Sequence, residues 1–246
     1  MLNETLKLLR ASKLTTMAKH FDRWCRNPAN AHRSHVECLH ALAVAQLEGK
    51  KTRRIDGFLT RAGFAPAVSI ANVWTHPGRG LSPRALANLQ TCAWVDAGHT
   101  LVITGEHGTG KSFLAAALAR EAALTRPSVH YRVVSKVLDA CVDPNIKKVM
   151  GPLSRARLLV LDHFAEDFIN ERQGALLRDL IDERKRKSLA TIFVSAKPIE
   201  EWSGVFENQD AAEAILHRVM EHATEITLEG RKKTPSKCRR KASASR

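Results

Sequence analysis

Residues 100–112 form the stretch that decides the fold: Thr-Leu-Val-Ile-Thr-Gly-Glu-His-Gly-Thr-Gly-Lys-Ser. The apolar run at 101–103 predicts a buried strand that breaks at Gly105, and the alanine-rich segment 113–123 predicts a helix. Between them, Gly105, Gly110, Lys111 and Ser112 match G-x-x-x-x-G-K-[ST], the phosphate-binding loop. The motif therefore lies where its mechanism requires, between a strand and a helix N-terminus.

This loop predicts a site for ATP with Mg²⁺. Glycines let the backbone curl so that successive N–H groups face the phosphates, and the helix dipole adds partial positive charge there. Lys111 would reach the β and γ phosphates, and Ser112 would hold Mg²⁺. The simpler alternative is a glycine turn beside a surface lysine. The predicted nucleotide-binding residues are Gly105, Glu106, His107, Gly108, Thr109, Gly110, Lys111 and Ser112.

A second apolar run, at 158–161, ends in Asp162. A carboxylate at the end of a buried strand, past a phosphate loop, is the expected Walker B position and would bind Mg²⁺ opposite Ser112. The alternative is an aspartate that caps a turn.

His163 follows, where ATPases of this architecture usually place an acid that orients and deprotonates the attacking water. A neutral imidazole can act as a base, but imidazolium would be repelled by Mg²⁺. The acids Glu166 and Asp167 are alternative bases, and a third interpretation is that His163 is simply tolerated in a slow or inactive ATPase. We expect hydrolysis below about 1 s⁻¹, the rate at which typical enzymes begin.

Two further residues are candidates for catalysis. Ser195 ends a predicted strand at 191–194, where a hydroxyl could contact the γ-phosphate or the water, although a plain turn hydroxyl is the simpler interpretation. Arg218 lies on a predicted helix at 211–221. An isolated helix arginine is usually a surface charge, but in an oligomeric ATPase it could reach the neighbouring subunit's γ-phosphate.

The pattern of strands and helices predicts an α/β fold. Five strands, at 101–103, 129–134, 158–161, 191–194 and 225–228, alternate with helices, which is typical of a parallel sheet covered on both faces. We divide the chain into a helical N-terminal domain at 1–75, a phosphate-loop ATPase domain at 76–230 and a basic, disordered tail at 231–246. The N-terminal domain is expected to bury an apolar stripe of its second helix, namely Val36, Leu39, Leu42 and Leu47.

The charge of the chain favours a polyanionic partner. Its net charge is +14, and eight of its basic residues and none of its acidic ones lie at 231–246. Nucleic acid is the expected partner before membrane. The basic cluster Lys50, Lys51, Arg53 and Arg54 suggests phosphate contact, with a solvated helix face as an equal alternative.

The cysteines and the apolar runs indicate the compartment. Five cysteines without a C-x-x-C pair suggest reduced thiols rather than a zinc site. No apolar run approaches the length of a membrane span. We therefore expect a cytoplasmic protein with no membrane partner.

The sequence resembles the IstB family, the helper ATPases of insertion sequences, which are close to the DnaC helicase loaders within the AAA+ class. The resemblance covers nearly the whole chain to about residue 230. It includes the opening 6–18, the segments 94–98, 105–112, 158–162 and 191–195, and above all 198–202 and 210–218.

This resemblance implies a parallel AAA+ sheet, ATP-dependent self-association into a multimer on DNA with little sequence preference, and recruitment or stimulation of a partner transposase. The chain departs from the family at three places. His163 stands where the family is acidic, the segment 135–156 is short, and 231–234 replaces a stretch that carries a nucleotide-sensing arginine. A DnaC-like loader of a replicative helicase and a non-hydrolysing DNA-binding relative remain alternative functions.

Overall fold

A sheet of five parallel strands forms the centre of the protein in a computed structural model, which describes residues 1–64, 68–126, 128–139 and 146–230. The strands are β1 (Thr100–Thr104), β2 (Val129–Val133), β3 (Leu158–Asp162), β4 (Ala190–Val194) and β5 (Ala223–Thr227). They pair in the order β2-β3-β4-β1-β5. The inner strands β3 and β4 are buried throughout, as expected when helices cover both faces. The predicted five-stranded parallel α/β sheet is therefore confirmed.

The described ranges contain ten helices: α1 (Leu2–Ala11), α2 (Thr15–Arg26), α3 (His35–Arg61), α4 (Pro83–Gln90), α5 (Ala93–Asp96), α6 (Lys111–Thr125), α7 (Val134–Asp139), α8 (Ile146–Arg155), α9 (Glu171–Arg186) and α10 (Gln209–Met220). One face packs against α6 and the end of α3, and the other against α7 to α10. Alternate strand residues enter the two cores: Val160 faces α6, whereas Leu159 and Leu161 face the other layer.

Side-chain caps set the start of several helices. Ser34 and Glu37 form a reciprocal capping box at α3, in which the Glu37 carboxylate accepts from the Ser34 backbone N–H at 2.8 Å. Ser82 caps α4 by accepting from the backbone N–H of Ala85 at 3.1 Å, with Pro83 at the first helical position. The sequence prediction that Ser82 and Pro83 begin a helix is confirmed.

The prediction for the first half of α3 is wrong. Leu42 is buried, but Val36, Leu39 and Leu47 are respectively 75%, 66% and 59% exposed. The reason is that α2 packs against this half of the helix on one side, where the backbone N–H of Met17 donates to the Gln46 side chain at 3.0 Å. One neighbouring helix covers one side of α3, so apolar residues elsewhere on the helix stay in contact with water.

The last turns of α3 belong to the core of the sheet. Ile55, Phe58 and Leu59 are buried in the same cluster as β1, β3 and α6. The end of the N-terminal helical region and the ATPase region therefore share one core, and the division at residue 75 stays a prediction. The predicted basic tail at 231–246 lies outside the described residues. No helix in the described part of the chain is long and apolar enough to cross a membrane.

Candidate nucleotide site

The loop between β1 and α6 has the backbone of a phosphate-binding loop. Gly105, Gly108 and Gly110 all have positive φ, at 136°, 79° and 88°. At Gly105 a Cβ atom would lie 2.2 Å from the carbonyl oxygen of Leu228, in the segment that follows β5. Only glycine fits such a position. The loop thus lies between α6 and the segment that follows β5.

Lys111, the first residue of α6, folds back over this loop. Its ammonium group donates to the carbonyl of Glu106 at 2.9 Å, and the Thr109 hydroxyl donates to the same oxygen at 2.9 Å. Burial lowers the pKa of Lys111, while the charges of Glu166 and Asp162 act in the opposite direction. The lysine is therefore a buried donor at the loop, where its ammonium group could donate to a phosphate oxygen in place of the Glu106 carbonyl.

Arg79, which the sequence analysis missed, supports the loop through a hydrogen bond to its backbone. Arg79 is only 7% exposed, and its guanidinium donates to the carbonyl of Thr109 and, at 2.6 Å, to that of Trp74. The same group lies over the Trp74 ring, 5.0 Å from the ring centre. No local motif marks Arg79, because its partner in the loop is 30 residues away along the chain.

Asp162 lies opposite Ser112, as predicted. The Ser112 hydroxyl donates to Asp162 Oδ1 at 3.2 Å across a separation of 50 residues. The backbone N–H of His163 donates to the same oxygen at 3.0 Å, and the hydroxyl of Tyr131 donates to Oδ2. Tyr131 is a second contact that the sequence analysis missed, because it lies on β2, 31 residues before Asp162 in the chain.

His163 is paired with Glu166 rather than left alone beside Asp162. His163 Nδ1 lies 2.7 Å from Glu166 Oε2, and Glu166 Oε1 accepts from the backbone N–H of Ala196 at 2.9 Å. Burial lowers the pKa of His163, but the hydrogen bond to Glu166 and the charges of Asp162 and Glu166 outweigh it and raise the pKa overall. His163 also has φ of +59°, an uncommon left-handed conformation for a residue other than glycine.

These residues enclose a pocket of about 280 Å³ at the carboxyl edge of the sheet. This is the edge at which ligands bind in open α/β sheets. Of the two acids proposed as alternatives to His163, Glu166 lines the pocket, whereas Asp167 is exposed. The pocket is lined by His107, Gly108, Gly110, Lys111, Ser112, Phe113, Asp162, His163 and Glu166.

Ser195 lies at the same edge but is fully buried. Its backbone N–H donates to the carbonyl of Ile103, and its hydroxyl accepts from the backbone N–H of Lys197 at 3.1 Å. The hydroxyl thus stabilises the turn after β4 in this conformation. Its contact with a γ-phosphate stays a prediction.

Arg218 lies at the opposite, amino-terminal edge of the sheet. It lines a pocket of about 150 Å³ together with Thr100 and Thr191, near the starts of β1 and β4. Its guanidinium is ion-paired with Asp182 on α9 and donates to the carbonyl of Ala214 at 2.9 Å. The structure therefore separates Arg218 from the phosphate pocket of its own chain, and a role at a neighbouring subunit's pocket stays a prediction.

Comparison with known protein families shows which family the chain belongs to. The profile described as IstB-like ATP binding protein matches residues 7–242. The chain belongs to the IstB-like family. It is 30% identical over 230 residues to y4pL of Sinorhizobium fredii, whose name describes an insertion sequence ATP-binding protein; the match covers 92% of this chain and 94% of that protein.

Two solved structures share the fold of this IstB-like chain. DnaI superposes with a TM-score of 0.57 at 20% identity, over 65% of this chain and 90% of DnaI. The DnaC helicase loader superposes with a TM-score of 0.55 at 14% identity, over 65% of this chain and 96% of the loader. At these identities the likeness shows the fold alone.

The donor set fits Mg²⁺ bound together with a nucleotide. The Ser112 hydroxyl and the Asp162 carboxylate supply oxygen ligands, which Mg²⁺ prefers. Within the described ranges no group of three or more His, Cys, Asp or Glu side chains could hold a metal ion. A nucleotide-bound Mg²⁺ does not need such a group, because phosphate oxygens and water complete its coordination.

Proposed function

We propose that this chain binds ATP with Mg²⁺ between 105–112 and Asp162, and that the ATP-bound form assembles on DNA and recruits or stimulates a transposase. The observation that carries the proposal is the hydrogen bond between Ser112 and Asp162, which joins the loop to the end of β3 across 50 residues. The name of the relative y4pL, an insertion sequence ATP-binding protein, supports the transposition context.

The phosphate loop and the polar side chains Lys111, Ser112, Asp162, His163 and Glu166 have separate tasks in this proposal. The loop N–H groups and Lys111 would bind the phosphates, since helix N-termini and glycine-rich loops favour anions. Ser112 and Asp162 would hold Mg²⁺, which when bound neutralises charge on the β and γ phosphates. Glu166 and His163 both line the pocket, and in this proposal they would orient a water molecule and accept its proton.

The DNA part of the proposal rests on charge. The predicted tail at 231–246 carries eight basic residues, and Lys50 is exposed on α3. The rest of the basic cluster is partly engaged: Arg53 donates to the Thr16 hydroxyl at 2.7 Å, and Arg54 donates to the carbonyl of Ala123. We therefore assign most of the phosphate contact to the tail, and a structural role to Arg54.

The first half of α3 is the surface at which we propose that a protein partner binds. Val36, Leu39, Val44 and Leu47 leave large apolar side chains in contact with water on one helix. Contiguous exposed apolar surface commonly marks a protein interaction site. A transposase is the partner that we propose, and a replicative helicase is the alternative favoured by the fold shared with the DnaC helicase loader.

The test is DNA binding with and without ATP·Mg, read together with particle size by light scattering. We expect ATP to increase both DNA affinity and particle size in the wild type. Lys111→Ala should lose both responses, because it removes a charge-assisted phosphate contact. Lys7→Ala, at an exposed lysine of α1 to which the proposal gives no task, serves as the control for loss of one positive charge. If Lys111→Ala binds ATP as tightly as the wild type, the site assignment is wrong.

A further inference from the structure

Tyr131 is the only tyrosine in the chain, and its hydroxyl ends at the Walker B carboxylate. Tyr131 lies on β2, opposite Val160 of β3, and is 3% exposed. It belongs to the core cluster on the α6 face of the sheet, the face that also carries Val160. Because side chains alternate along a strand, Asp162, two residues beyond Val160, points to this same face. The phenol therefore reaches diagonally from β2 to Asp162 Oδ2 on the neighbouring strand β3.

The ring of Tyr131 is held by aromatic residues of the N-terminal region. Phe64 packs edge-on against it with ring centres 5.1 Å apart, and Phe58 of α3 does so at 6.4 Å. These rings exclude water from the phenol. The ring packing therefore holds the phenol hydroxyl at Asp162 Oδ2.

The two oxygens of Asp162 have different partners. Oδ1 accepts from the Ser112 hydroxyl and from the backbone N–H of His163, whereas Oδ2 accepts from Tyr131. Since Asp162 is only 4% exposed, water has little access to Oδ2. The tyrosine thus occupies Oδ2, while Oδ1 faces Ser112.

We propose that Tyr131 is a positioning residue for Mg²⁺ binding: by holding Oδ2 of Asp162, it presents Oδ1 to Ser112 and the metal. The inference rests on the proposed function, because it assumes that Asp162 and Ser112 serve Mg·ATP. Partners that hydrogen-bond a metal-ligating carboxylate orient it, and their loss typically weakens metal binding 10- to 100-fold.

The first experiment measures the Mg²⁺ dependence of ATP binding by full-length Tyr131→Phe, with a fluorescent ATP analogue as the probe. We expect the Mg²⁺ concentration for half-maximal binding to rise about tenfold, while binding of the analogue in EDTA stays at the wild-type level. A tyrosine with a purely structural role would lower the melting temperature without moving the Mg²⁺ dependence.

Phe58→Leu is the matched control. It disturbs the same aromatic cluster but does not touch Asp162. It should lower thermal stability and leave the Mg²⁺ dependence unchanged. An equal shift in Phe58→Leu and Tyr131→Phe would overturn the proposal, because packing alone would then explain it. An unshifted Tyr131→Phe would overturn it as well.

A second measurement needs no substitution. Because Tyr131 is the sole tyrosine, growth on 3-fluorotyrosine labels this ring alone, and ¹⁹F NMR gives one signal. The chemical shift of this signal should change when Mg²⁺ is added to the ATP-bound protein. It should not change when EDTA is added instead of Mg²⁺. A signal that is indifferent to Mg²⁺, in protein shown to bind ATP, refutes the positioning role. Wild-type protein that binds no ATP refutes the proposed function instead.

Discussion

Gly105 and Gly108 offer a matched pair of substitutions in one loop. Both have positive φ, so alanine is strained at either position. They differ in what an added Cβ would meet. At Gly108 there is nothing within 4 Å, whereas at Gly105 the nearest atom is the Leu228 carbonyl oxygen at 2.2 Å. Leu228 also donates its backbone N–H to the carbonyl of Thr104 at 2.8 Å, so its backbone cannot move away without losing that bond.

The size of the effect follows from these surroundings. A left-handed backbone costs a residue with a Cβ about 1–2 kcal/mol, which is the whole expected cost of Gly108→Ala. Gly105→Ala has this cost and in addition an overpacking cost of about 1–3 kcal/mol. For a chain of this size, 1 kcal/mol lowers the melting temperature by about 2–4 °C. Gly105→Ala should therefore melt roughly 2–12 °C below Gly108→Ala.

The assay is thermal unfolding of both variants without nucleotide, followed by circular dichroism, with urea unfolding to obtain the free energy of unfolding. Omitting nucleotide removes any effect of the variants on ligand binding. Equal melting temperatures for the two variants would refute the reasoning, since the close approach of Leu228 to the loop would then be without energetic consequence. Lower stability of Gly108→Ala would refute it more strongly.

Three further predictions concern assembly, hydrolysis and DNA. Arg218→Ala should bind ATP but lose ATP-dependent assembly. Asp182→Asn, which releases Arg218 from its ion pair, should assemble at least as well as the wild type. If light scattering shows that Arg218→Ala assembles like the wild type, Arg218 has no role in assembly and serves only in its ion pair with Asp182. Glu166→Gln should slow ATP hydrolysis by about 100-fold, within the range for a general base, whereas Asp167→Asn should not, and equal rates of phosphate release in the two variants would contradict this. Deleting 231–246 should weaken DNA binding and reduce its dependence on salt. The slope of log affinity against log salt concentration should fall in magnitude by about 0.9 for each DNA phosphate that the shortened chain no longer neutralises. A wild-type affinity that does not change with salt would contradict the electrostatic account.

The sequence alone determined the elements that depend on neighbouring residues. The loop at 105–112 was recognisable because its glycines, Lys111 and Ser112 are contiguous and their chemistry requires that spacing. The pairing of Ser112 with Asp162 followed from a general rule, since the ends of parallel strands meet at one edge of the sheet. Ser82 and Asp162 are therefore found where the patterns predicted them.

The tertiary structure decided everything that depends on which distant segments meet. The support of Thr109 by Arg79 and the hydrogen bond from Tyr131 to Asp162 join residues about 30 positions apart, and no local pattern specifies such partners. The exposure of Val36 and Leu39 was likewise invisible, because an apolar stripe shows which helix face prefers burial but not whether a neighbour is present to cover it. Sequence periodicity reports the preference of one element, whereas burial and hydrogen bonding are properties of two elements brought together by the fold.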